Sequence, residues 1–249
     1  MSTQAVQAVA SAPRTTIGTL SVVIPAYNEG PTIERILDKV IAVPMNVDIE
    51  LIVVDDGSKD NTREVVSAWM ARHQGERFTF RLITKENGGK GTAVRRGIAE
   101  STGDWVIIQD ADLEYDPNDY PALLAPMIAG ETEVVYGSRI LGPDKPGSMK
   151  FYLGGRAVTF ATNLLYWSNL TDEPTCYKVF KGDLIRGMDL TCTGFEFCPE
   201  VTAKVLKRGH RIVEVPIRYY PRSIEEGKKI RAWDGVLALW ELLKWRFRK

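Results

Sequence analysis

Short β-branched apolar runs alternate with polar stretches of helical spacing through the first half of the chain. Residues 20–25, Leu20-Ser21-Val22-Val23-Ile24-Pro25, read as a strand stopped by proline. Residues 32–43 place Ile33, Ile36, Leu37 and Val40 on one helical face. A second strand, 49–54, ends in Asp55-Asp56-Gly57-Ser58, and a helix opens at Lys59-Asp60-Asn61-Thr62 and runs to about His73. The third strand is 78–83. Asn87-Gly88-Gly89-Lys90-Gly91-Thr92 leads into a helix ending at Glu100, and 105–108 is a buried fourth strand. Such alternation predicts an α/β fold with a mostly parallel central sheet, helices on both faces and right-handed crossovers. Loops after parallel strands gather on one edge, where open sheets of this kind bind ligands.

The chemistry on that edge begins with Asp110-Ala111-Asp112, which follows the fourth strand. In extended backbone, residues two apart point the same way, so both carboxylates would project together. Hard oxygens in that arrangement suit Mg²⁺ or Mn²⁺ shared with substrate phosphates. Asp55 and Asp56 can accept hydrogen bonds from a base and a ribose. The glycine-rich loop offers backbone donors and the Lys90 cation to phosphate. Gly88-Gly89-Lys90-Gly91 has neither the GxGxxG nor the GxxxxGK[ST] spacing, which weighs against a dehydrogenase or an ordinary ATPase.

Composition narrows the class. The 249 residues allow one large domain or two small ones, and 32 basic against 32 acidic side chains leave no global field to attract nucleic acid. Three cysteines, Cys176, Cys192 and Cys198, lack paired metal-ligand spacing and suit a reducing compartment. Cys176 is expected to be a small packed residue, and His73 and His210 to be structural. Residues 1–17 read as a disordered lead-in. No stretch approaches the ~18 apolar residues of a membrane span.

Taken together, Val23-Ile24-Pro25-Ala26-Tyr27-Asn28-Glu29, Val53-Val54-Asp55-Asp56-Gly57-Ser58, Gly88-Gly89-Lys90-Gly91 and Asp110-Ala111-Asp112 resemble the family-2 glycosyltransferases of the GT-A fold. The resemblance covers residues 19 to about 140. It implies that Pro25, Tyr27, Glu29, Asp55, Asp56, Gly57, Lys90, Asp110, Ala111, Asp112 and Glu114 bind a nucleotide-sugar. Asp110 and Asp112 would hold the metal, and Lys90 and an arginine would stabilise the leaving diphosphate. Glu114 would orient the sugar or join the metal.

The second half resembles the dolichol- or polyprenyl-phosphate sugar synthases within that family. A fifth strand ends in Gly137-Ser138-Arg139, a helix is expected at 155–167, and Thr171-Asp172-Glu173-Pro174-Thr175-Cys176-Tyr177-Lys178, Gly194-Phe195-Glu196-Phe197 and Tyr220-Pro221-Arg222 follow. The resemblance implies that Arg139, Arg156 and Arg222 hold an acceptor phosphate. Thr159, one turn from Arg156 on the same helical face, would add to that site. Two departures leave the sugar open between GDP-mannose and a UDP-sugar: Thr175-Cys176-Tyr177 replaces the usual Thr-Ser-Gly, and segment 225–230 is longer and more basic than the resemblance to the mannosyl enzymes implies. The implied boundaries are 18–115 for a nucleotide-sugar half, 116–232 for an acceptor half and 233–249 for a C-terminal helix. That helix carries Trp240, Trp245 and a basic end, which fits either an interfacial membrane helix or one docked on the domain. The expected location is cytoplasmic, peripheral at the membrane. Two other readings stay open: transfer to a hydroxyl acceptor, with Glu196 or Glu200 as base, and a non-catalytic nucleotide-sugar binder.

Overall fold

The computed structural model describes residues 17–73, 78–144, 148–222 and 232–248. The expected lead-in, apart from Ile17, and segment 225–230 lie outside them. Ile17 itself is tied by its amide to the Asn46 carbonyl at 3.2 Å.

The first half follows the predicted alternation: β1 (Thr19–Ala26), α1 (Ile33–Ala42), β2 (Asp48–Asp55), α2 (Thr62–Arg72), β3 (Phe78–Thr84), α3 (Lys90–Glu100) and β4 (Trp105–Ile108). β1 and β2 are buried almost throughout, as strands covered on both faces must be. In α1 the four expected positions, Ile33, Ile36, Leu37 and Val40, are the buried ones. The second half adds α4 (Tyr120–Ile128), β5 (Val134–Ser138), α5 (Met149–Tyr166), β6 (Lys178–Lys181), α6 (Gly182–Arg186), α7 (Phe197–Lys207), β7 (Ile212–Pro216) and α8 (Ala232–Phe247).

All seven strands join one sheet in the order β3-β2-β1-β4-β6-β5-β7. β6 runs antiparallel to both neighbours, and the other paired strands are parallel. This reversal brings the chain ahead of β6, residues 171–178, to the edge where β4 and β5 end. α5 starts at Met149, before the expected 155. Gly154 and Gly155 weaken the helical signal of its first half, yet it packs against α7 and α8.

α3 lies close on β1 at Gly97, where an added Cβ would sit 2.3 Å from Val23 Cγ1. Gly97→Ala is therefore expected to cost about 1–3 kcal/mol by overpacking, read as a melting temperature lower by roughly 2–12 °C. An unchanged melting temperature would show that this contact is loose.

The C-terminal helix docks on the domain. Leu242 and Trp245 are buried against α5 and α7 residues, and the Tyr166 hydroxyl donates to the Leu242 carbonyl at 2.7 Å. Its other face stays open, with Trp233, Trp240 and Phe247 each more than 60% exposed, as are Phe160 and Leu164 of α5 and Trp167 just after it. No helix among the described residues is long and apolar enough to cross a membrane.

Candidate active site

Asp110 and Asp112 lie just beyond β4, Asp110 ahead of a turn and Asp112 within it. Leu113 adopts a left-handed conformation with φ 63°, which an unbranched-Cβ residue takes only where the surroundings enforce it. The turn lets Asp112 Oδ1 accept the Glu114 amide at 3.1 Å. Each aspartate meets a different cation: Lys90 Nζ is 2.5 Å from Asp110 Oδ1, and Arg222 is 2.8 Å from Asp112 Oδ2. Burial opposes the charge on Lys90, but Asp110 outweighs it and raises the lysine above its ordinary range. Burial, followed by the negative neighbours Asp110 and Glu114, pushes the Asp112 carboxyl up to about 6.

That excess of negative charge suits a divalent ion. Among the described residues no group of three or more His, Cys, Asp or Glu could form a closed protein cage. Two carboxylates are nonetheless what Mg²⁺ commonly takes from a protein when substrate phosphates and water complete its shell. The donor set fits an ion delivered with a diphosphate.

The glycine-rich loop departs from expectation. The Gly88 and Gly89 amides donate to the Asp56 carboxylate at 3.0 and 2.8 Å, and Lys85 pairs with the same group. The Gly91 and Thr92 amides donate to the Thr193 carbonyl at 2.9 and 3.4 Å. These backbone donors are engaged within the protein, and the Lys90 side chain pairs with Asp110. Asp56, expected at the ribose, is 3% exposed and ties this loop to β2. Asp55 is likewise buried, its Oδ2 accepting Arg63 Nε at 2.6 Å and its Oδ1 the Ser58 amide at 3.2 Å. Gly57 (φ 74°) turns the chain just after them. A cavity of about 530 Å³ opens here, lined by Gly57, Arg63, Thr84, Lys85, Glu86 and Asn87.

Pro25 is the last residue but one of β1, and beyond the strand Tyr27 is half-buried. The Glu29 amide donates to Thr62 Oγ1 at 2.9 Å and its carboxylate accepts from Thr32 at 3.0 Å. Ala111 is buried between the two aspartates.

On the acceptor side, Arg139 forms a two-toothed pair with Asp172, Nε and a terminal nitrogen both at 2.8 Å. Asp172 is placed by its own amide, which donates to Glu214 at 2.9 Å. The Arg139 guanidinium lies 5.1 Å over the Tyr219 ring, whose hydroxyl donates to Glu114 at 3.0 Å. Glu114 also accepts the Arg222 amide at 2.8 Å. A continuous chain of contacts therefore runs Arg139–Tyr219–Glu114–Arg222–Asp112. Arg156 is exposed and donates to the Thr171 carbonyl at 3.0 Å, beside Asp172.

Thr159 does not join that surface. It is 3% exposed, its hydroxyl donating to the Gly155 carbonyl at 2.9 Å and accepting the Glu173 amide at 3.0 Å. Helical spacing put it on the face of Arg156, but that position turns inward. Cys176 is buried, as expected, its amide donating to the Tyr115 hydroxyl at 3.0 Å.

Glu196 and Glu200 are occupied. Glu196 accepts the Thr193 and Gly194 amides at 2.6 and 2.8 Å, which outweigh burial and lower its pKa. Buried Glu200 accepts the Thr191 and Cys192 amides and Lys204, and its pKa is lowered too. Its bonds favour the fold above the ordinary carboxylate pKa and are lost on acidification below it. Glu200→Gln should cost about 2 kcal/mol at pH 7 and leave kcat nearly unchanged. A kcat lost without a loss of stability would reinstate it as a base.

Asp172, Glu214, Tyr219, Arg63 and Thr193 were not singled out from the sequence. Their parts depend on contacts between segments distant in the chain. The one local signal was Asp172 at the head of a polar run before β6.

The order of strands and the loops along their C-terminal ends define the GT-A fold. Residues 21–187 match the model of glycosyl transferase family 2. The chain belongs to that family. It is 31% identical over 211 residues to the low-salt glycan biosynthesis hexosyltransferase Agl6 of Haloferax volcanii, covering 83% of this chain and 49% of that protein. It is 28% identical over 236 residues to the dolichol-phosphate mannosyltransferase of Pyrococcus furiosus, covering 91% of this chain and 64% of that one. The chain thus spans about half to just under two-thirds of the length of these relatives. The structure of glucosyl-3-phosphoglycerate synthase from Mycobacterium tuberculosis with Mn²⁺, uridine diphosphate and glucosyl-3-phosphoglycerate superposes with a TM-score of 0.70 at 24% identity, over 92% of this chain and 80% of that one.

Proposed function

We propose that this protein transfers a sugar, with inversion, from a nucleotide-diphosphate sugar to a polyprenyl or dolichyl phosphate. The observation that carries the reading is the contact between Asp112 and Arg222. It places a carboxylate suited to a metal-bound diphosphate beside an arginine suited to a second phosphate. Arg139 and Arg156 extend the positive side of that junction. A dolichol-phosphate mannosyltransferase among the relatives supports a lipid phosphate acceptor and mannose as the sugar. The uridine diphosphate in the mycobacterial neighbour keeps a UDP-sugar as the alternative donor.

With Mg²⁺ or Mn²⁺ bound at Asp110 and Asp112, the ion would neutralise charge on the departing diphosphate. Lys90 adds a fixed positive charge there. Tyr27, Glu29 and Asp55 would hold the base, and Gly57 lines the cavity that opens by Arg63. The arginines hold the acceptor phosphate so that its oxygen reaches the anomeric carbon from the face opposite the leaving group. A phosphate monoester has a second pKa of about 6 and arrives largely ionised, so it needs little help from a general base. The engagement of Glu196 and Glu200 with backbone amides agrees with that requirement and disfavours a hydroxyl acceptor.

The open faces of α5 and α8 would bring the site to the bilayer where such an acceptor resides. Indole and phenyl groups flanked by Lys244, Arg246 and Arg248 suit an anionic interface. Binding to vesicles containing phosphatidylglycerol is therefore expected, and Trp240→Glu with Phe247→Glu should reduce it at least tenfold. Equal binding by the double variant would leave the helix with a docking role alone.

The function is tested by incubating the protein with Mn²⁺, a short polyprenyl phosphate and a panel of GDP- and UDP-sugars. Mass spectrometry then looks for the lipid-phosphate-sugar. Product from one donor would fix sugar and acceptor class together. Donor hydrolysis alone, or tight nucleotide binding without turnover, would remove the lipid acceptor from the reading.

A further inference from the structure

Both candidate metal carboxylates carry a cation of the chain's own, and the two cations are held differently. Lys90 sits in the first turn of α3, whose amides are fixed by the Thr193 carbonyl. Arg222 comes from the segment after β7. Its amide donates to Glu114 Oε1 at 2.8 Å, and its terminal nitrogen donates to Asp112 Oδ2 at 2.8 Å. Its Nε is buried and has no hydrogen-bond partner among the described residues, with Glu114 Oε1 3.9 Å away. A guanidinium whose Nε is buried without a partner is incompletely satisfied in that seat. Its planar fork is shaped for the paired oxygens of a phosphate.

We propose that Arg222 is a displaceable counter-cation of Asp112, so that metal entry releases it to the acceptor phosphate. This rests on the metal and acceptor roles proposed above and adds an order to them. A divalent ion on Asp112 withdraws electron density from the oxygen that Arg222 now uses and repels the guanidinium. Arg222 stays protonated at any ordinary pH, so it responds by moving and not by losing a proton. The anion that best satisfies its released donors, including Nε, is a phosphate. Donor and metal therefore bind first, and they raise the affinity for the acceptor. Without them, Asp112 competes with the acceptor for the same arginine.

The test measures binding, not turnover. Mn²⁺ is titrated into the full chain, alone and with UDP or GDP, by isothermal calorimetry and by loss of the free-ion electron paramagnetic resonance signal. Arg222→Gln is expected to bind Mn²⁺ about fivefold or more tightly than the unaltered protein, with Arg222→Lys between them. Inorganic phosphate should bind the unaltered protein more tightly once Mn²⁺ and nucleotide are present, and linkage requires the reverse as well. Arg222→Gln should abolish that coupling. Equal or weaker Mn²⁺ binding by a folded Arg222→Gln protein would overturn the proposal, and so would failure of every form to bind Mn²⁺ with nucleotide present. If the glutamine variant does not fold, the lysine variant carries the same comparison. Absence of lipid-linked product would overturn the acceptor class and leave these binding results standing.

Discussion

Replacing Asp112 with alanine is expected to lower kcat/KM at least about a thousandfold, equivalent to roughly 4 kcal/mol of transition-state stabilisation. The fold should survive. The Asp112 carboxyl is pushed up to about 6, first by burial and then by Asp110 and Glu114, so its charged form is disfavoured in the native protein. Its contribution to stability is present below the ordinary value of 3.8 and is lost as pH rises through about 6. At pH 7 the aspartate is charged against this preference, and the partly exposed pair with Arg222 returns little. The melting temperature of the variant at pH 7, without metal, should equal or exceed that of the unaltered protein. Steady-state kinetics and calorimetry at pH 7 check both halves of the expectation. Retained turnover would refute the metal assignment, and a lost fold would mean that Asp112 serves the structure.

Asp172→Ala should do the opposite and strike stability hardest. Asp172 is 3% exposed, and three donors of Arg139, its amide included, converge on it. Burial opposes the aspartate charge, but Arg139 outweighs it and lowers the pKa. The pair thus supports the fold above the ordinary carboxylate value and ceases to as pH falls below it. Removing one partner of a buried pair typically costs about 3–5 kcal/mol, because the other is left uncompensated. For a chain of this size that corresponds to a melting temperature lower by roughly 6–20 °C. Asp172→Asn should keep the shape and lose less. An undiminished melting temperature in the alanine variant would show that Arg139 does not depend on this carboxylate. It would then stand as a phosphate ligand with no fixed seat.

The contrast between these aspartates marks where the sequence was informative. The first four strands and three helices were legible because their signals are local: apolar runs, helical spacing and glycine in the loops after the first three strands. The motif carrying Asp110 and Asp112 was legible as well, down to its place beyond β4. Its turn geometry was not, because the left-handed backbone at Leu113 has no glycine or asparagine to announce it. β6 was hidden for another reason. Its four residues begin and end with lysine, and Lys178 is completely buried, donating to the Glu173 and Thr175 carbonyls at 2.5 and 2.9 Å. A lysine in a strand core contradicts the usual pattern, and only the tertiary contacts explain it. Thr159 failed for the complementary reason: spacing gives the helical face but not what covers it.

The antiparallel β6 has a mechanical consequence. By bonding to β4 on one side and β5 on the other, it welds the strand that leads into Asp110 and Asp112 to the strand that leads into Arg139. The two halves of the molecule cannot swing about a hinge without tearing that ladder, unlike enzymes that close two lobes around their substrates. Distances between the ends of β4 and β5 should therefore stay the same through a catalytic cycle. Whatever motion the reaction needs falls to side chains and to the turns above a rigid floor.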